Sequence, residues 1–188
     1  MLERVLSPRP LAPAEKKAPR TLLLPPATEH IYTRPLSNPS EPNNAIVYYL
    51  HVGDAADPAL SAKLAIFSHL STEPSFNVLR TQEQLGYAVF CNGTRSAGAM
   101  GLRIIVQSER GAVYVETRIE AFLDSMQKTL EDMSEEEFAK HQQALIAKEE
   151  EQPKNLGQET RRFWSRITDK YYDFNKSKVD NMYLEANE

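Results

Sequence analysis

The chain has 188 residues, 41% of them hydrophobic, a length that fits one domain able to bury a sizeable core. Its 26 acidic and 22 basic residues leave a formal charge of -4, which offers no electrostatic footprint for nucleic acid. No run of eighteen or more apolar residues is present, so a transmembrane helix is not expected, and the lone Cys91 cannot close an internal disulfide.

The first twenty residues lack an apolar stretch of the secretory kind but carry Arg4, Arg9, Lys16, Lys17 and Arg20, so the cytoplasm is the expected location and a mitochondrial destination the second reading. Nine of the twelve prolines lie at or before Pro42 and all seven glycines lie after it. Residues 1–42 therefore read as a Pro-rich connector, with Thr21–Leu24 and His30–Thr33 as short edge strands, and 43–188 as the domain proper.

Ala45–Val52 is rich in β-branched and aromatic residues and reads as a central or nearly central strand. Asp57-Pro58 is an N-cap followed by proline at the first helical position, opening a helix through Leu60, Leu64, Phe67, His69 and Leu70 that Pro74 should end. A short helix around Phe76, Leu79 and Arg80 leads into a strand over Leu85–Cys91. Asn92-Gly93 then begins a polar connection to a returning strand, Gly101–Gln107, with Leu102, Ile104 and Val106 on one face.

From Gly111 the apolar period lengthens to that of a helix, with Val115, Ile119, Phe122, Leu123, Met126 and Leu130 in one stripe. Ser134 and Glu137 make a capping box for the next helix, Pro153 separates a third that holds Leu156, Phe163, Trp164 and Ile167, and a last turn falls near Val179–Leu184. This order gives an α+β fold, a mostly antiparallel sheet with helices packed on one face.

Residue-level chemistry is sparse. None of the four histidines, His30, His51, His69 and His141, stands in H-E-x-x-H or H-x-x-E-H, the spacings that place two imidazoles and a carboxylate on one helical face. His69 and Glu73 share a face but find no third ligand in register, so a rim histidine is the preferred reading, and no metal site is expected. Glu135–Glu137 and Glu149–Glu151 read as solvated helix ends, and Cys91 as a buried core residue.

One stretch is far more specific. Phe76-Asn-Val-Leu-Arg-Thr-Gln-Glu-Gln-Leu-Gly-Tyr-Ala-Val89 fits F-x-x-L-R-x-x-E-Q-L-G-Y-x-V, and Gly101-Leu-Arg-Ile-Ile-Val-Gln-Ser108 fits G-L-x-x-x-x-Q-S. Together they resemble the fourth, non-zinc domain of the insulin-degrading-enzyme and pitrilysin family of inverzincin metallopeptidases, close to its fungal pheromone-processing members, over about Arg20 to Tyr183.

The resemblance implies one half-repeat of a clamshell that closes on a peptide, incomplete at its C-terminal end, with zinc held in the N-terminal half of the full-length enzyme. It implies that Arg80 and Tyr87 contact the substrate backbone and the oxyanion, and that Phe76 lines the substrate pocket. The residues alone leave other readings open: Arg80 paired with Glu83, Tyr87 as a strand aromatic, Phe76 as core.

The expected function is thus a substrate-binding domain of a zinc metalloendopeptidase, with peptides and the zinc-bearing half as partners. Alone, the chain is expected to hold no zinc and cleave nothing. The alternative is a non-catalytic peptide-binding or scaffold module.

Overall fold

Among the described residues after 43, three strands and five α-helices make up the computed structural model. In chain order they are β1 (Asn44–Asp54), α1 (Pro58–Ser75), a π-helical segment (Phe76–Gln82), β2 (Val89–Ser96) and β3 (Ala99–Ser108), followed by α2 (Ala112–Asp132), α3 (Glu135–Glu150), α4 (Leu156–Thr168) and α5 (Lys176–Ala186). The structure describes Arg9, Ala12, Glu15, Pro25 and residues 27–186. It divides into two units, Met1–His30 and Ile31–Glu188.

In the first unit Arg9 donates to both carboxylate oxygens of Glu15, at 2.8 and 2.5 Å. The expected strand over Thr21–Leu24 lies outside the described residues. The one expected over His30–Thr33 does not form: Ile31 and Tyr32 are 73% and 88% exposed, so nothing covers a face there.

The sheet is antiparallel throughout, in the order β1-β3-β2. β3, not β1, is central, and β1 is an edge strand. Burial explains the difference: Met100, Leu102, Ile104 and Val106 of β3 are all fully buried, whereas Val47 and Tyr49 of β1 face solvent. With Val89 and Cys91 of β2, that buried row forms the face on which α1 and α2 pack. The opposite face carries Val47, Ile105 and Phe90 abreast in one register row.

The hairpin is longer than its Asn92-Gly93 dipeptide suggests. Both residues lie within β2, and the chain reverses at Ala97 and Gly98, whose φ values of 49° and 88° suit the two-residue turn that matches strand twist. Likewise β2 begins at Val89, so 85–88 is irregular and Tyr87 is not a strand residue.

Asp57 caps α1, its side chain accepting from the amides of Ala59 and Leu60. The α-helical pattern of α1 ends at Ser75, one residue past Pro74, but the chain does not break there. A proline lacks the amide that would bond four residues back, and here the chain absorbs the loss by widening into the π-helical segment directly after α1.

α2 buries Val115, Ile119, Phe122 and Met126, with Leu123 and Leu130 partly covered. Ser134 accepts from the amide of Glu137 to cap α3, whose three first-turn glutamates suit a helix N-terminus. α4 buries none of its residues. α5 is longer than a single turn and is tied down by charge: Lys176 pairs with Asp180 and donates to the Ser61 hydroxyl of α1 at 2.8 Å. Nearby, Arg95 of β2 pairs with Asp173 at 3.1 Å and lies over the Tyr171 ring at 4.5 Å.

Candidate functional site

The peptide that carries the sequence motif folds as a looped ledge between α1 and β2. Its two leucines supply the anchors: Leu79 and Leu85 are 0% and 3% exposed, so the residues around them must turn outward. The loop closes on itself through the Glu83 amide, which donates to the Val78 carbonyl at 2.9 Å, and the Leu85 amide, which donates to Leu79 at 3.0 Å. Gln84 accepts a φ of 52° to make that return.

Gly86 is demanded by space. A Cβ built there would stand 1.7 Å from the Gln107 carbonyl oxygen, so only a residue without one lets the ledge lie against β3. The next hydrogen bond, from the Gln107 amide to Ala88 at 2.9 Å, seats the chain for β2.

These constraints bring Phe76, Arg80 and Tyr87 together. The Arg80 guanidinium carbon lies 4.6 Å from the Phe76 ring centre and 4.8 Å from that of Tyr87. Phe76 is therefore a surface aromatic at 43% exposure and not core, and Tyr87 is 86% exposed. Cation–π contact occupies the guanidinium through the ring faces, while its in-plane N–H groups are what hydrogen bonds require. Among the described residues, neither the Arg80 guanidinium nor the Tyr87 hydroxyl has a hydrogen-bonded partner.

The expected alternative of an Arg80–Glu83 pair is not what forms. Glu83 is engaged from α2: Arg118 Nε and Nη2 donate to its two carboxylate oxygens at 2.7 and 2.6 Å. That side-on, two-bond geometry is the strong form of a carboxylate contact, and beside Glu83 the Arg118 guanidinium is held above its ordinary pKa. Sequence reading misses this pair because its members stand 35 residues apart on different elements.

The other candidates lie elsewhere. His69 meets not Glu73 but His141 of α3, ring centres 5.8 Å apart and edge-on, and burial first, then His141 and Lys148, lower its pKa. Both rings border or neighbour a cleft of about 480 Å³ between α1, β2 and α3, lined by Ser68, His69, Thr72, Asn92 and Lys148 among others, which includes none of Phe76, Arg80 or Tyr87. Cys91 is buried and its thiol is pushed up to about 11 by burial, so it is not a ready thiolate. Among the described residues no group of three His, Cys, Asp or Glu side chains could hold a metal ion.

Phe76, Arg80 and Tyr87 thus share one open ledge beside the sheet of an α+β layer. Residues 66–164 match the family described as PQQ synthase PqqF-like, C-terminal lobe domain 4. The chain is 38% identical over 178 residues to insulin-degrading enzyme from Bos taurus, covering 95% of this chain and 17% of that protein. It is 35% identical over 174 residues to a Schizosaccharomyces pombe protein named as an inferred zinc protease, mug138, covering 93% of this chain and 18% of that one.

A crystal structure of pitrilysin superposes with a TM-score of 0.65 at 24% identity, over 78% of this chain and 16% of that chain, which shows the shared fold. The chain belongs to the insulin-degrading-enzyme and pitrilysin metallopeptidase family, as its C-terminal lobe domain 4. It spans about a sixth of the length of the curated relatives it matches. Zinc is the metal expected of full-length members, and the residues described here do not fit it.

Proposed function

We propose that this chain forms part of the peptide-binding wall of a zinc metalloendopeptidase. It would supply donors to the substrate while the zinc is held by sequence outside it. The observation that carries this reading is the Arg80 guanidinium, stacked between Phe76 and Tyr87 with no carboxylate on it among the described residues.

In that role Arg80 and Tyr87 offer N–H and O–H groups to a peptide carbonyl. A carbonyl under attack gains negative charge on oxygen, and donors fixed in advance stabilise that charge more than the neutral ground state. The aromatic stack supplies the fixing: it restricts the guanidinium plane before substrate arrives, so less ordering remains to be done in the transition state. Phe76, stacked and half exposed, offers an apolar wall for a substrate side chain next to the bond being cleaved.

The test is a chimera in which this chain replaces its matching segment of bovine insulin-degrading enzyme, followed by cleavage of a quenched fluorescent peptide. The isolated chain should release no fluorescence, and the chimera should. Tyr87→Phe should lower kcat by about 10²–10³ with KM little changed, the signature of one lost oxyanion donor. Arg80→Lys should also be harmful, because an ammonium cannot present the planar fork. Near-parental turnover in both variants, with native circular dichroism, would favour a non-catalytic peptide-binding module instead.

A further inference from the structure

Arg80 lies in the last turn of the π-helical segment and Glu83 caps that segment three residues on, the nearest carboxylate along the chain to the guanidinium. A guanidinium committed to that carboxylate would have its in-plane N–H groups occupied and could not offer them to a peptide. In the structure the competitor is removed. Both oxygens of Glu83 are held by Arg118 of α2, and Arg80 turns instead to two aromatic faces.

From this arrangement we propose that Arg118 is a positioning residue that keeps Arg80 uncommitted by occupying Glu83. The inference rests on the proposed role of Arg80 as a substrate donor, though its structural half can be tested without it. Three observations support it. Glu83 is the carboxylate next to Arg80 within the motif itself, so the competition is built into the sequence. The Arg118–Glu83 contact is, among the described residues, the one side-chain hydrogen-bonded link between the ledge and α2. The ledge is otherwise anchored by Leu79, Leu85 and the close approach of Gly86 to Gln107, so the ion pair is not needed to hold it down.

A purely structural clamp and a sequestering residue predict different outcomes at Arg80 itself. If the pair merely fastens the ledge, neither the single nor the double variant gives the Arg80 guanidinium a carboxylate partner, although Glu83→Gln still relieves the charge that Arg118→Met leaves unpaired. If Arg118 acts by withholding Glu83 from Arg80, then Arg118→Met frees a carboxylate to capture Arg80, and adding Glu83→Gln removes the captor and restores the site.

The experiment is nuclear magnetic resonance of the Arg80 Nε–H group in the full 188-residue chain. In the parent, hydrogen exchange at that group and rotation about its Nε–Cζ bond should be fast, as for a guanidinium without a carboxylate. Arg118→Met should slow both by several-fold, and Arg118→Met with Glu83→Gln should return them to parental values.

Should Arg118→Met fail to fold, Glu83→Gln alone decides: the Arg80 signal should match the parent, and a changed signal would overturn the proposal. An unaltered Arg80 in Arg118→Met, or a double variant no better than the single, also overturns it.

The chimera then separates this inference from the reading beneath it. Loss of turnover by about ten-fold or more in Arg118→Met, with recovery in the double variant, supports both. Insensitivity of turnover to Arg80→Ala defeats the donor role while leaving the resonance result to decide the sequestration.

Discussion

At the scale of single residues, the ledge depends on what is missing from Gly86 as much as on what its neighbours carry. An alanine methyl placed 1.7 Å from the Gln107 carbonyl oxygen cannot be accommodated by a side-chain rotation, because the obstacle is backbone in the central strand. Gly86→Ala should therefore push the ledge off β3, costing about 1–3 kcal/mol or more as an overpacked site and displacing Tyr87 beside it. Denaturant melts check the stability, and loss of the Arg80 resonance signature checks the displacement. A melt unchanged from the parent would mean that the strand yields instead.

The motif made Arg80, Tyr87 and Phe76 legible as residues of interest, but not their stacking. Ring-to-guanidinium contact between positions 76, 80 and 87 requires the chain to widen and then turn back, and no periodicity announces that. The Glu83 partner was equally hidden, because the nearest opposite charge in sequence is not the nearest in space.

At the scale of elements, the sequence reads best where burial is one-sided. The stripe of α2 and the inner row of β3 alternate as their periods demand, and both were legible. The Asn-Gly pair misled because it marks a local cost, not a boundary. Pro74 stands one residue before the α-helical pattern gives way to the π-helical one, whereas Asn92-Gly93 sits in a strand whose neighbour supplies the ladder.

Contact between α1 and α3 also sets a pH dependence. Burial lowers the His69 pKa, and His141 and Lys148 add to the effect, so the folded chain favours neutral His69 more than the unfolded chain does. With the folded value below the unfolded one, that stabilisation is fully present above about 6.5, the ordinary histidine value, and is lost as pH falls through the folded value. The melting temperature should therefore drop on acidification below about 6.5, and His69→Gln should shrink that drop. A pH profile identical in parent and variant would place the acid sensitivity elsewhere.

At the scale of the whole molecule, the edge position of β1 and the bare surface of α4 share a cause that composition could not reveal. Sequence patterning tells which residues prefer burial, not whether a partner surface is there to bury them. Leu156, Phe163, Trp164 and Ile167 recur at a spacing that predicts a helix, yet in that helix they remain 76%, 43%, 60% and 41% exposed. Apolar area of this kind drives association in water. The isolated chain should thus self-associate with rising concentration in sedimentation velocity runs, and Phe163→Glu with Trp164→Lys should shift it toward the monomer without lowering its melting temperature. Concentration-independent sedimentation of the parent would show that the stripe is tolerated in water.

Trp164 is the chain's one tryptophan, and its place on that stripe decides what light can report. An indole already 60% exposed changes surroundings little when the core around Phe122 and Ile104 comes apart, so emission spectra would track melting of the domain poorly. The same indole would shift toward the blue whenever another surface covered α4. Intrinsic fluorescence of this chain is therefore a gauge of docking, and unfolding must be followed by the helical signal in the far ultraviolet.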